Sequence, residues 1–209
     1  MALPAPTVAT DPAPSAETNA AFVTLNGYVT DAYSELVDGL NAVREHIRIT
    51  QGPGAVQMLD DLDAQLGTLS SSSLPNPAVI ADPATQAQTN AALATMASYV
   101  DRLNTRSIAG TNVLREHMRR SGRVPELVAF DSGVGGILST SNTAETVASD
   151  PVSLADMNTA LANTTAFVDA SNADFVNVLT AFIEVFRINP ANLNLNDRLT
   201  AAVANLGSP

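Results

Sequence analysis

The sequence has no cysteine, no lysine and no tryptophan, and only two histidines. Without cysteine there is no disulfide, no thiolate nucleophile and no Cys-ligated metal. Without lysine, the ten positive charges are all arginine and face 21 acids, leaving a net charge of −11. That balance disfavours direct nucleic-acid binding by general electrostatics. No apolar run approaches the roughly 18 residues that a membrane span needs. Met1–Pro14 lacks the basic region and apolar run of a signal peptide. The expectation is a soluble chain, cytoplasmic or part of a particle, with no membrane partner.

What the sequence does have is repetition. Asp11-Pro12, Asp82-Pro83 and Asp150-Pro151 lie about 70 residues apart and open three similar stretches. Asn19, Asn90 and Asn158 follow in step, then Tyr28-Val29, Tyr99-Val100 and Phe167-Val168, then Arg48, Arg119 and Arg187. A unit this short is marginal alone and wants neighbours. The division read from the repeats is an extended N-terminal arm at 1–10, repeat 1 at 11–74, repeat 2 at 75–142 and repeat 3 at 143–209. Repeat 2 diverges by being Arg-rich, with a Gly-rich second half.

Asp at an N-cap can accept a hydrogen bond from a free backbone N–H, and Pro at the first helical position has no N–H to lose. Each Asp-Pro pair therefore reads as a helix start. Helical spacing follows. Phe22, Leu25, Val29, Ala32, Leu36, Leu40, Val43 and Ile47 form one apolar stripe in unit 1. Leu93, Met96, Val100, Leu103, Leu114 and Met118 match it in unit 2, interrupted by Ser107 and Thr111. Leu161, Val168, Phe175, Leu179, Phe182 and Phe186 match it in unit 3. Gly39 and Gly110 read as bends or close contacts.

Breaker clusters end each long helix at Gln51-Gly52-Pro53-Gly54, Ser121 to Pro125 and Asn189-Pro190. Short return helices follow, carrying Val56, Leu59, Leu62 and Leu66 in unit 1 and Leu195, Leu199, Ala202, Val203 and Leu206 in unit 3. In unit 2, Phe130 to Gly136 is too glycine-rich to read as helix. The joints, Ser70 to Pro77 and Ser139 to Thr143, read as polar loops. The fold class expected is all-α: three tandem αα-hairpin repeats, each a long helix plus a shorter return helix, packed as a single helical bundle. A linear stack is the alternative.

Asn19, Asn90 and Asn158 fall on or near the buried stripe and read as a buried polar layer that fixes register where the units meet. Leucine at all three is expected to raise stability while loosening register. His46 and His117 share the context Arg-Glu-His-x-Arg, but adjacent Glu and His on a helix diverge by about 100° and cannot share one ion unaided. No Glu-x-x-His or His-x-x-x-His spacing exists, so the pair reads as cations near helix C-termini. Asp60, Asp61 and Asp63 read as a solvated face, without calcium-loop spacing. Asp131 to Gly136 lacks the Gly-Lys-[Ser/Thr] ending of a phosphate loop.

Arg102, Arg106, Arg115, Arg119, Arg120 and Arg123 stand out. Residues 72–140 hold five acids and six arginines, against nine and two in 1–71 and seven and two in 141–209. They are candidates for contact with the acidic units of another copy, or for pairing across the bundle with Asp31, Asp38, Asp169 or Asp174. No catalytic residue, cofactor site or metal site is expected. The function expected is a non-enzymatic structural protein that self-associates or packs into a particle, virion or filament. The alternative is a soluble helical-repeat module that binds a peptide or small ligand.

Overall fold

The computed structural model describes residues 3–51, 56–70, 78–120, 127–128, 131, 144–186 and 193–206. The regular secondary structure among them is helical, in one packed bundle. Among the described residues there are three long helices, α1 (Ser15–Gln51), α3 (Gln86–Arg120) and α4 (Leu154–Phe186), with a shorter one after the first and the last, α2 (Val56–Ser70) and α5 (Leu193–Leu206). Of the breaker clusters and joints only Gln51 and Ser70 are described, as the last residues of α1 and α2; the rest lie outside the described residues, as do 132–136 and most of the segment between α3 and residue 144.

The apolar stripes face inward as their spacing dictates. All eight stripe residues of α1 are buried, as are Leu161, Val168, Phe175, Leu179 and Phe182 of α4. In α3, Ser107 and Thr111 do not interrupt the stripe; both are fully buried with it. A helix propagates past such residues because packing of its inward face, rather than propensity, carries most of its stability.

α2 turns back along α1, since Arg44 in the last turns of α1 pairs with Asp63 at the middle of α2. It packs between α1 and α3, and α5 packs between α4 and α1. The first and last units thus meet directly, which makes a bundle and not a linear stack. Glycine at 39 marks a close approach: α1 runs unbroken through it, against Leu179 of α4.

The three Asp-Pro pairs do not start helices. α1, α3 and α4 begin three or four residues later, at Ser15, Gln86 and Leu154, and all three Asp–Pro peptide bonds are cis. The reason lies in the residue after each proline. Ala13 donates its N–H to the Val152 carbonyl at 2.8 Å, Val152 to Ala84 at 2.9 Å, and Ala84 to Ala13 at 2.9 Å. These three fully buried residues tie the units to one another in a ring, so their amides and carbonyls belong to neighbours and not to a first helical turn.

Candidate functional site

The ring is the centre of a collar in which three extended straps are held. Strap 1 (residues 3–10), strap 2 (78–81) and strap 3 (144–149) each run down to an Asp-Pro pair, with a buried valine three residues before the aspartate: Val8, Val79 and Val147. A strap has no helix partner for its backbone, so its polar groups must be met by side chains.

Asparagine supplies that partner, because its amide carries a donor and an acceptor side by side. Asn19 accepts the Val79 N–H at 2.8 Å and donates to the Val79 carbonyl at 2.9 Å. Asn90 does the same for Val147 at 2.8 and 3.2 Å, and Asn158 for Val8 at 2.8 and 3.1 Å. The three asparagines are half-buried and bond to straps, not to one another. They set register between units by clamping backbone, which corrects the expected buried polar layer.

The next two amides of each strap meet a side chain from the helix that follows. Glu17 accepts from Ala9 and Thr10 at 2.6 and 3.2 Å, Gln88 from Ile80 and Ala81 at 2.7 and 3.0 Å, and Asp156 from Ala148 and Ser149 at 3.2 and 2.8 Å. The Ala9 amide, with the Thr10 hydroxyl, holds the Glu17 carboxyl below its usual range, and the Ser149 hydroxyl and amide do so for Asp156.

The aspartates are caps after all, but of the neighbouring unit's helix. Asp82 accepts from Ser15 N–H at 3.2 Å, Asp150 from Gln86 at 3.3 Å, and Asp11 from Leu154 at 3.0 Å. Each satisfies a free donor of a first turn. Sequence spacing could not show this, because an Asp four residues ahead of its own helix looks the same as one that reaches across.

The N-terminal arm turns inward. Leu3 N–H donates to Asp169 at 2.9 Å, the Tyr28 hydroxyl donates to the Pro4 carbonyl at 3.0 Å, and Val8 is buried. It is strap 1, equivalent to the segments before Asp82 and Asp150. The recurring Val-x-x-Asp-Pro was the signal for it, and reading the repeat from the aspartate missed that signal.

The buried polar layer lies further along, at the equivalent positions Tyr33, Asn104 and Asn172, all under a tenth exposed. Tyr33 donates its hydroxyl to Asn104 Oδ1, and its ring meets Phe175 edge-on with centroids 5.0 Å apart. Burial pushes the Tyr33 hydroxyl's pKa up.

At the far end of the bundle the shared Arg-Glu-His-x-Arg context makes shared contacts. The first arginine ties the long helix to its return segment: Arg44 to Asp63 at 2.6 Å, Arg115 to Asp131 at 2.5 and 2.9 Å. The glutamate holds the second arginine, Glu45 with Arg48 and Glu116 with Arg119, in bidentate pairs of 2.6 to 2.8 Å. Arg120 adds a third bond to Glu116 at 2.9 Å, and Arg119 then Arg120 depress the Glu116 carboxyl to about 2. Arg115, Arg119 and Arg120 thus reach carboxylates of their own unit, where the sequence offered Asp31, Asp38, Asp169 or Asp174 across the bundle. Arg123 and the side chains of Arg102 and Arg106 lie outside the described residues.

His117 sits in the last turn of α3 and His46 nearer the middle of the last two turns of α1. His117 lines a cleft of about 290 Å³ between α2 and α3, with Gln57, Asp61, Asn112, Glu116 and Arg120. Among the described residues no group of three or more His, Asp or Glu could hold a metal ion. No helix there is long and apolar enough to cross a membrane. No family model, curated protein or solved structure matches the chain.

Proposed function

We propose that the chain is a non-enzymatic structural protein, three tandem αα-hairpin units closed on one another, that self-associates or packs with other components into a larger assembly such as a particle, virion or filament. The collar carries this reading. The polar residues that recur with the repeat (the three Asp, the three Asn, and Glu17, Gln88 and Asp156) are engaged in joining unit to unit and strap to helix. Recurrent polar chemistry is thereby spent on assembly of like parts. The uneven charge adds support: an arginine-rich middle unit between two acidic ones gives complementary surfaces to like copies.

Light scattering and electron microscopy of the purified chain test it. The expected result is assembly that grows with concentration and weakens with salt, as exposed charge contacts do. A monomer at every concentration would overturn self-association. The cleft beside His117 favours the second reading, a helical-repeat module for a peptide or small ligand. Its mark would be a compact monomer whose melting temperature rises with such a ligand.

A further inference from the structure

The collar makes one kind of joint three times, and the chain bridges only two of them. Strap 2 follows unit 1 and docks on α1; strap 3 follows unit 2 and docks on α3. Strap 1 docks on α4, and the covalent path between them runs the long way, through all three units. That joint is therefore held by non-covalent contacts alone. At the strap they are the two Val8–Asn158 bonds, Leu3 N–H on Asp169 at 2.9 Å, Leu154 N–H on Asp11 at 3.0 Å, and Ala13 N–H on the Val152 carbonyl at 2.8 Å, beside the packing of α1 on α4 and α5.

We propose that the strap-binding face of α4 is a docking site for an extended Val-x-x-Asp-Pro segment, and that its occupant in trans is strap 1 of a second copy. This rests on the self-association reading and names its contact. The site reads backbone: the clamp takes both polar groups of the valine, and across the three equivalent clamps the residues between valine and aspartate differ, Ala-Thr on α4, Ile-Ala on α1 and Ala-Ser on α3. Only the buried valine and the capping aspartate are chosen by side chain. Exchange between copies breaks and remakes the same bonds, so concentration decides between docking within a chain and docking between chains. A strap given to the next copy is a heterologous contact, which closes as a ring or continues as a filament.

Sedimentation velocity on full-length variants tests this. Asn158→Leu spoils the acceptor and Val8→Asp spoils the strap. Each alone should stay monomeric at concentrations where the unaltered chain assembles. An equimolar mixture should give a two-copy species, because the strap of the Asn158→Leu copy docks on the intact α4 of the other. Asn19→Leu removes an equivalent clamp at a covalently bridged joint, so it should lose similar stability and keep assembling.

If both variants alone assemble like the unaltered chain, or if their mixture stays monomeric, trans docking is wrong while self-association stands. If the unaltered chain never assembles, self-association fails. A fluorescent peptide of residues 3–14 then decides the site. Saturable binding to the full-length chain, weakened about tenfold or more by Asn158→Leu, would uphold it. Absence of saturable binding, or binding unchanged by Asn158→Leu, would overturn it.

Discussion

Gly39 of α1 lies so close to Leu179 of α4 that a Cβ there would come within 3.0 Å of Leu179 Cδ1 and 3.3 Å of its Cγ. Leu179 is fully buried and has nowhere to retreat. Gly27, on the same helix, has no atom within 4 Å of such a Cβ. Alanine at either position gains the same helix propensity, about 1 kcal/mol over glycine. The comparison therefore isolates packing. Gly27→Ala should stabilise the chain, and Gly39→Ala should fall below it by about 1–3 kcal/mol, the usual cost of overpacking. Urea melts of the two variants measure the difference; equal stabilities would mean that α1 and α4 are not packed this tightly.

Each asparagine clamp satisfies the N–H and carbonyl of a strap valine, so leucine there should destabilise, the reverse of what a buried register layer implies. Replacing Asn90 with leucine leaves the Val147 N–H unpaired in a partly buried place, and its carbonyl keeps only the Gln86 side-chain amide at 3.2 Å. The expected loss is about 1–3 kcal/mol, the cost of stranding such groups. Thermal or chemical melts of Asn19→Leu, Asn90→Leu and Asn158→Leu should agree in sign. A gain in stability at any of them would deny the clamp.

The helices were legible because an apolar stripe at helical spacing means the same thing wherever it occurs. The stripes of Phe22 to Ile47 and of Leu161 to Phe182 were read with their inward faces correct. The collar was legible only as a recurrence. Asp-Pro looked like a helix start because capping is usually local, whereas Asp82 serves Ser15, 67 residues away. Asn158 and Val8 are separated by 150 residues, and no spacing rule relates them. The polar layer was misplaced for a similar reason. A tyrosine in one unit stands opposite asparagines in the others, so identity of residue type failed as a guide to equivalence of position. At the arginine end, the local Glu116–Arg119 spacing outcompeted the longer reach across the bundle.

Charge reversal at the far end should separate assembly from folding. Arg119 and Arg120 are largely exposed, and both pair with Glu116. Exposed pairs of this kind contribute at most about 1 kcal/mol, so Arg119→Glu with Arg120→Glu should leave the melting temperature nearly unchanged. If this surface meets the acidic units of other copies, the same change should shift assembly to much higher concentration in light scattering. Unfolding of the chain, with no separate effect on assembly, would mark these arginines as internal supports instead.

Acid should loosen the collar before it touches the core. Hydrogen bonds to the carboxylate forms hold Glu17 below its usual 4.5 and Asp156 below its usual 3.8. A carboxyl depressed on folding binds its proton more readily in the unfolded chain. Its contribution is complete above the ordinary value and is lost as pH falls through the folded one. Melting temperature should therefore hold steady from neutral pH down to about 5 and decline below the ordinary carboxylate range. The chain carries its own control in Gln88, which receives the Ile80 and Ala81 amides without any charge to lose. Glu17→Gln places the same acceptor on strap 1. It should keep the neutral-pH stability close to that of the unaltered chain and flatten part of the acid limb, and Asp156→Asn should act likewise at strap 3. Melting curves from pH 7 to pH 3 for the two variants and their double would show it. An acid limb as steep in the double variant as in the unaltered chain would place the acid-sensitive groups elsewhere, with the Glu116 and Asp131 ion pairs next in line.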